Sequence, residues 1–226
     1  MNAAKARSFR VLALALVCCG IMALVDGLWQ PGYAIKSAVK LAVFGAFPLV
    51  VTRLWGLTPV KVLFAFRKKG FFAALGLGLG IYALILGGYF LLRNVFDFSQ
   101  VAGSLTENAG VTKENFLYVS LYISFANSLL EEFFFRGFLC RNLEAGHWNP
   151  LLPHLISAVL FAAYHIAMMI GWFGYGLTAL VLVGLTAGGL IFNWLNGKLG
   201  CIYASWLTHM FANFAINTIG FILLNA

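Results

Sequence analysis

Three short groups of polar residues interrupt otherwise apolar stretches of this 226-residue chain, and their residue types are those of hydrolytic chemistry. The first is Glu131-Glu132-Phe133-Phe134-Phe135-Arg136-Gly137. The second is Phe161-Ala162-Ala163-Tyr164-His165. In the third, Ser205, His209, Asn213 and Asn217 recur every four residues, a spacing that places them along one helix face. Ionisable groups inside apolar helices cost about 2.5–3.5 kcal/mol each on insertion scales and mark function by default. A glutamate can take a proton from water, imidazoles can pass protons, and neutral N–H donors can hold an oxyanion. Those are the parts needed for water activation and acyl transfer.

Each group alone has a blander reading. Adjacent acids can sit at an interface and snorkel toward water. One histidine in an apolar helix is commonly a hydrogen-bonded core residue, and a serine–asparagine stripe can simply glue helices together. Three groups on three helices favour a site. Within the first group, the two carboxylates point to neighbouring faces at 100° per residue. Arg136 stands four residues after Glu132, the favourable order for an ion pair, and Ser124 and Ser128 continue that stripe. Glu131 has no cation in its own helix, so its replacement by glutamine is expected to relieve a buried charge and spare the fold. His154 and His147 have no matching partner in the sequence. Gly-x-Ser-x-Gly, His-Glu-x-x-His, a Walker loop and a dinucleotide fingerprint are all absent.

The elements that must position these residues follow from composition. Hydrophobic residues make up 62% of the chain and charged ones 10%, with mean hydropathy +0.91. A soluble domain is about a quarter charged, so disorder, a disulfide-stapled module and a water-soluble fold are excluded. The expected class is all-α, a polytopic transmembrane bundle forming a single domain over 1–226. A spanning helix needs about 20 apolar residues, and seven stretches offer them. They run over Val11–Trp29, Ser37–Leu57, Phe71–Leu92, Asn115–Cys140, Leu151–Phe173, Tyr175–Leu195 and Cys201–Leu224. An eighth, re-entrant segment would fit as well. The first stretch has a basic start but no small-residue cleavage pattern, and is read as a retained helix. Lys40 blurs the edges of the second, and 94–113 is a polar loop. The four cysteines, Cys18, Cys19, Cys140 and Cys201, read as small apolar fillers.

The net charge of +8 fits basic cytoplasmic loops better than a nucleic-acid partner. With the N-terminus inside, one side collects the Lys and Arg at 5, 7, 10, 53, 61, 67, 68, 69, 136, 141 and 198. The other side holds only those at 36, 40, 93 and 113. The N-terminus is therefore expected in the cytoplasm and, with seven spans, the C-terminus outside.

Taken together, Glu131-Glu132-x-x-x-Arg136, Phe161-x-x-x-His165 and His209-x-x-x-Asn213 resemble the three motifs of the CPBP (CAAX protease and bacteriocin-processing, or Abi) family of intramembrane proteases. The resemblance covers about 115–217. It implies a helical bundle around an intramembrane cavity in a cell membrane, expected to be bacterial, where an activated water cleaves a peptide bond. On that resemblance Glu131 is the general base and His165 its partner in water activation. His209 and Asn213 stabilise the oxyanion, while Glu132 and Arg136 hold the first motif in shape. The implied substrate is a peptide or membrane-associated protein, in some relatives lipid-modified. No cofactor is required by this reading. A zinc ion, if bound, would take Glu131, His165 and His209, although these lack the usual pair of ligands on one helix face. Two other classes stay open: a non-catalytic bacteriocin-immunity or scaffold protein, and a small proton-coupled transporter.

Overall fold

The computed structural model describes residues 3–57, 59–66, 68, 70–107 and 110–225. Arg67 and Lys69, counted above among the cytoplasmic cations, lie outside the described residues. Among the described residues the chain forms nine helices and no strand. They are α1 (Ala3–Trp29), α2 (Tyr33–Leu54), α3 (Val60–Leu63), α4 (Phe71–Leu92), α5 (Ser99–Glu107), α6 (residues 116–144), α7 (Leu151–Tyr164), α8 (Tyr175–Leu199) and α9 (Tyr203–Leu224).

Six of these are long and apolar enough to cross a membrane: α1, α2, α4, α7 with the turn that follows it to Met169, α8 and α9. The expected seventh is α6. At 1.5 Å per residue it is about 43 Å long, ample for a bilayer, but its acids and arginine set it apart from the purely apolar six. The polar stretch expected as a loop over 94–113 contains α5, which starts where the Asp97 carboxylate accepts the Ser99 N–H at 2.8 Å. α7 ends nine residues earlier than the apolar pattern runs, at Tyr164 rather than Phe173.

The helices alternate in direction. Ser8 Oγ donates to the Asn142 carbonyl at 2.8 Å, and Lys5 lies over the Trp148 ring. The Ile202 N–H donates to the Leu63 carbonyl at 3.1 Å. The start of α1, the end of α6, α3 and the α8–α9 turn therefore share one end of the bundle, and most of the basic residues sit there. Close helix approach depends on small residues, as expected where lipid offers no hydrophobic drive. A Cβ on Gly189 of α8 would lie 2.9 Å from the Ala158 backbone of α7, and one on Gly78 of α4 would lie 2.6 Å from Phe211 of α9.

The core sits where α1 and α2 cover α6 and α7. Phe44 stacks on Phe134 with ring centroids 4.0 Å apart, and Phe135, Phe138, Phe161 and Tyr164 complete the cluster. The three phenylalanines between Glu132 and Arg136 thus anchor α6 in the protein interior, and the acids beside them are carried inside with it. α6 is widened into π-helical turns at Tyr122–Asn127 and Glu132–Cys140, and α2 at Leu41–Ala46. Such turns are uncommon and cluster at functional positions.

Candidate active site

Glu131, Glu132 and Arg136 are all buried, with relative exposures of 2%, 0% and 2%. Burying such groups is tolerated only when partners meet them. For Glu131 the partners come from several helices. Its Oε1 accepts Lys40 Nζ of α2 at 2.5 Å, Asn127 Nδ2 one turn earlier in α6 at 3.1 Å, and the Tyr164 hydroxyl of α7 at 3.3 Å. Its Oε2 faces His209 Nε2 of α9 at 3.6 Å. Lys40 also donates to Asn127 Oδ1, and its ammonium lies 4.9 Å from the centre of the Tyr164 ring.

Glu132 is met differently. Its Oε1 accepts the His209 Nδ1–H at 2.9 Å and lies 3.4 Å from Arg136 Nη1, the ion pair expected from the four-residue spacing. The Arg136 guanidinium sits between the faces of Phe161 (4.4 Å to the centroid) and Phe192 (5.1 Å). Aromatic faces attract a cation where few hydrogen-bond partners reach it. His209 thus bridges the two carboxylates, and its ring is fixed by stacking on Phe192 of α8 at 4.9 Å.

His165 occupies the C-terminal end of α7. Its Nδ1–H donates to the Phe161 carbonyl at 2.7 Å, one of the carbonyls a helix end leaves unpaired. That bond fixes the tautomer and leaves Nε2 as the ring's free acceptor. The ring lies against Phe161 and Tyr164 and interacts electrostatically with Glu131 and His209.

The polar face of α9 is laid along α6, with one exception. Asn213 Nδ2 donates to the Ile123 carbonyl at 3.1 Å, and Asn217 Nδ2 donates to the Ser120 carbonyl and to Ser124 Oγ. Trp206 Nε1 donates to the Phe125 carbonyl and Ser128 Oγ. The π-helical turn at Tyr122–Asn127 holds two of the carbonyls these donors reach. Ser205 is the exception: it accepts Asn196 Nδ2 of α8 at 2.7 Å and takes no part in this seam.

The structure brings Glu131, Glu132, Arg136 and His209 into direct contact; His165 packs on Tyr164, a partner of Glu131, and Asn213 follows one turn after His209 with its amide on the Ile123 carbonyl. Three partners of Glu131 were not singled out from sequence: Lys40, Asn127 and Tyr164. Lys40 had a usable signal, since an ionisable residue inside a predicted span calls for a partner, and Glu131 was the acid left without one. The expectation for Glu131→Gln is corrected accordingly. The amide would not relieve an isolated charge; it would strip the buried ammonium of Lys40 of its counter-ion. His154 is corrected as well, since its Nε2 lies 3.3 Å from Glu144 Oε1 and its Nδ1 lies 3.6 Å from Cys140 Sγ. All four cysteines are buried and free, and Cys18, Cys19 and Cys201 keep the filler reading.

A divalent ion on Glu131, His165 and His209 does not fit this arrangement. The Lys40 ammonium already lies against the carboxylate that would bind it, His209 Nδ1 is taken by Glu132, and the ligand atoms of Glu131, His165 and His209 do not all lie within 4.8 Å of one another. An apolar recess of about 110 Å³ opens near the start of α9, lined by Phe66, Phe71, Trp206, Leu207 and Met210 among others.

Residues 113–215 match the family model Rce1-like, described as type II CAAX prenyl endopeptidase Rce1-like. The match takes in all seven motif residues and leaves out Lys40 and Asn217. No curated protein and no solved structure matches the chain. Over residues 113–215, the part that carries the paired glutamates and the two histidines, the chain is similar to the Rce1-like family of type II CAAX prenyl endopeptidases.

Proposed function

We propose that this protein is an intramembrane endopeptidase in which Glu131 activates water against a peptide carbonyl. The observation that carries the reading is the division of labour at Glu131. Oε1 is saturated by Lys40, Asn127 and Tyr164, so Oε2 is the oxygen with capacity to take a proton, and an imidazole nitrogen stands 3.6 Å from it. A water held against Oε2 gives up a proton to the carboxylate, with His165 Nε2 as its second acceptor. The hydroxide adds to the carbonyl carbon, and the charge that develops on oxygen is met by His209 and the second N–H of Asn213, whose first is spent on Ile123. The proton on Glu131 passes to the leaving amine as the C–N bond breaks. Glu132 fixes the His209 ring through Nδ1, and Arg136 balances Glu132.

Lys40 is assigned a positioning role: it holds Oε1 in place so that Oε2 faces the reaction. The substrate class proposed is a peptide or protein carrying an isoprenoid near its C-terminus. The apolar recess at the start of α9, with Trp206, Leu207 and Met210 in its lining, suits a hydrocarbon substituent. The reaction is placed in a multi-pass membrane protein with its N-terminus in the cytoplasm, in keeping with the basic end of the bundle.

The test is cleavage of a prenylated C-terminal peptide by the purified protein in detergent, followed by mass spectrometry. Wild type should release the C-terminal fragment. Glu131→Gln should not, and Asn213→Ala should lose about 10²–10³-fold, the usual cost of one oxyanion donor. Equal cleavage by wild type and Glu131→Gln would rule out Glu131 as the base, and folded wild type that releases no fragment would favour a scaffold that retains the motifs.

A further inference from the structure

Outside the site, the last turns of α6 and the first turn of α7 bring together Cys140, Glu144 and His154. One ligand atom from each lies within 4.8 Å of the other two, and among the described residues this is the one such group. Cys140 and Glu144 are four residues apart and share a face of α6. His154 faces them from α7, and its backbone carbonyl accepts Asn193 Nδ2 of α8 at 3.0 Å, so the imidazole is carried on a fixed element.

We infer that Cys140, Glu144 and His154 form a zinc-class metal site that clips the end of α6 to the start of α7. The Cys140–His154 pair suits that ion, and Glu144, whose Oε1 lies 3.3 Å from the other ring nitrogen, Nε2, turns to the Nδ1 side to complete the set. Zinc bonds of about 2.3 Å to sulfur and about 2.0–2.1 Å to nitrogen, at a tetrahedral angle, set the two ligand atoms about 3.6 Å apart. Cys140 Sγ and His154 Nδ1 are 3.6 Å apart. The donor set is thiolate, imidazole and carboxylate, which selects zinc over the harder magnesium and calcium. A thiolate and a carboxylate balance the charge of a divalent ion, so the loaded site is neutral at the edge of the bundle. The thiol releases its proton to solvent as the metal binds. Cys140 is buried while the Glu144 side chain is 42% exposed, so the ion enters from the Glu144 side and keeps one position for water. The clip lies between the helices that carry Glu131 and His165 and fixes their spacing. It uses no residue assigned to the peptidase reaction.

The experiment uses the full chain in detergent, with any purification tag removed, loaded with zinc and passed through gel filtration before metal analysis. One zinc per chain is expected, and cobalt loaded instead should give a thiolate-to-metal charge-transfer band in the near ultraviolet. Cys140→Ser should abolish the band, and His154→Ala should lose the bound zinc. His165→Ala and His209→Ala should retain both signals. Glu144→Gln, at an exposed position that leaves folding intact, should weaken zinc retention at least about 10-fold, the lower end of what even an outer-shell loss costs. Wild type that retains no zinc overturns the inference, as does full retention by folded Cys140→Ser or by Glu144→Gln. Loss of zinc in His209→Ala would place the ion elsewhere and overturn it equally. None of these readings depends on peptide cleavage, so the metal site and the peptidase assignment stand or fall separately.

Discussion

Glu131 and Glu132 are adjacent in the chain and equally buried, yet the surroundings of one differ in kind from those of the other. Glu132 is answered from its own helix by Arg136 and from α9 by a single imidazole nitrogen. Glu131 is answered by α2, α7 and α9 as well as by Asn127 of α6, and all but one of those contacts fall on one oxygen. Crowding Oε1 leaves Oε2 turned toward His209. Glu132 Oε2 is buried without a hydrogen-bond partner, whereas Glu131 Oε2 faces the His209 imidazole, and the proposed mechanism puts the base at that second oxygen and leaves Glu132 to hold the helix in shape. That contrast predicts different failures when each is changed.

The largest effect is expected from Glu131→Gln. Loss of a general base costs about 10²–10⁴-fold in rate, and the Lys40 ammonium is left buried without its counter-ion, so the melting temperature should fall too. The double variant Lys40→Met/Glu131→Gln should recover much of that temperature and none of the turnover. A Glu131→Gln protein that melts like wild type would show that Lys40 does not depend on the carboxylate. Glu132→Gln comes next. Removing one partner of a buried ion pair costs about 3–5 kcal/mol, and Arg136, enclosed by Phe161 and Phe192, has no route to water. Folded yield and melting temperature should drop together with activity. A well-folded, inactive Glu132→Gln beside an active Glu131→Gln would exchange the two roles.

Lys40→Met alone should be milder. Glu131 keeps Asn127, Tyr164 and His209, and a hydrogen bond to a charged group is worth about 1.5–3 kcal/mol. Turnover should fall about 10–100-fold through kcat, with KM little changed, because the lysine orients the carboxylate and is not proposed to touch substrate. A change confined to KM would instead put Lys40 in the binding surface.

Much of this was legible in the sequence. Hydropathy located the long helices, since apolar length is what a bilayer demands of a span, but it began α1 eight residues late, at Val11 rather than Ala3, and ran α7 nine residues long. The four-residue spacing of Glu132 and Arg136 correctly announced an ion pair, and the spacing of His209, Asn213 and Asn217 announced a shared face. What escaped were relations between helices. Lys40 blurred the edge of a span when read alone, and only packing of α2 on α6, with Phe44 stacked on Phe134, turns it toward Glu131. The π-helical turns escaped for a related reason: a constant 100° per residue carries no signal of a widened turn. α7 stopped short because its apolar run continues past Tyr164 into turns and the 3₁₀ segment Ala167–Met169, and hydropathy cannot separate an α-helix from an apolar turn. His154 lacked a partner in sequence because Cys140 and Glu144 lie on the other side of the α6–α7 connection.

The smallest predicted effect separates glue from chemistry along α9. Asn213 and Asn217 sit one turn apart on the same face, and each donates an amide N–H to a backbone carbonyl of α6. Polar contacts between membrane helices average about 0.6 kcal/mol. Alanine at either position should therefore lower the melting temperature by a similar, small amount. Their consequences for turnover should part company. Asn217 lies a turn farther from His209, and its amide is engaged by the Ser120 carbonyl and Ser124 Oγ, so Asn217→Ala should cleave within about threefold of wild type, the rate equivalent of a contact that small. The proposed mechanism gives the second N–H of Asn213 to the oxyanion, so its alanine variant should lose far more turnover than stability. Measuring kcat and melting temperature for both variants in one detergent decides the matter. Matched small losses in both would reduce Asn213 to a helix-packing residue and leave His209 alone to meet the oxyanion.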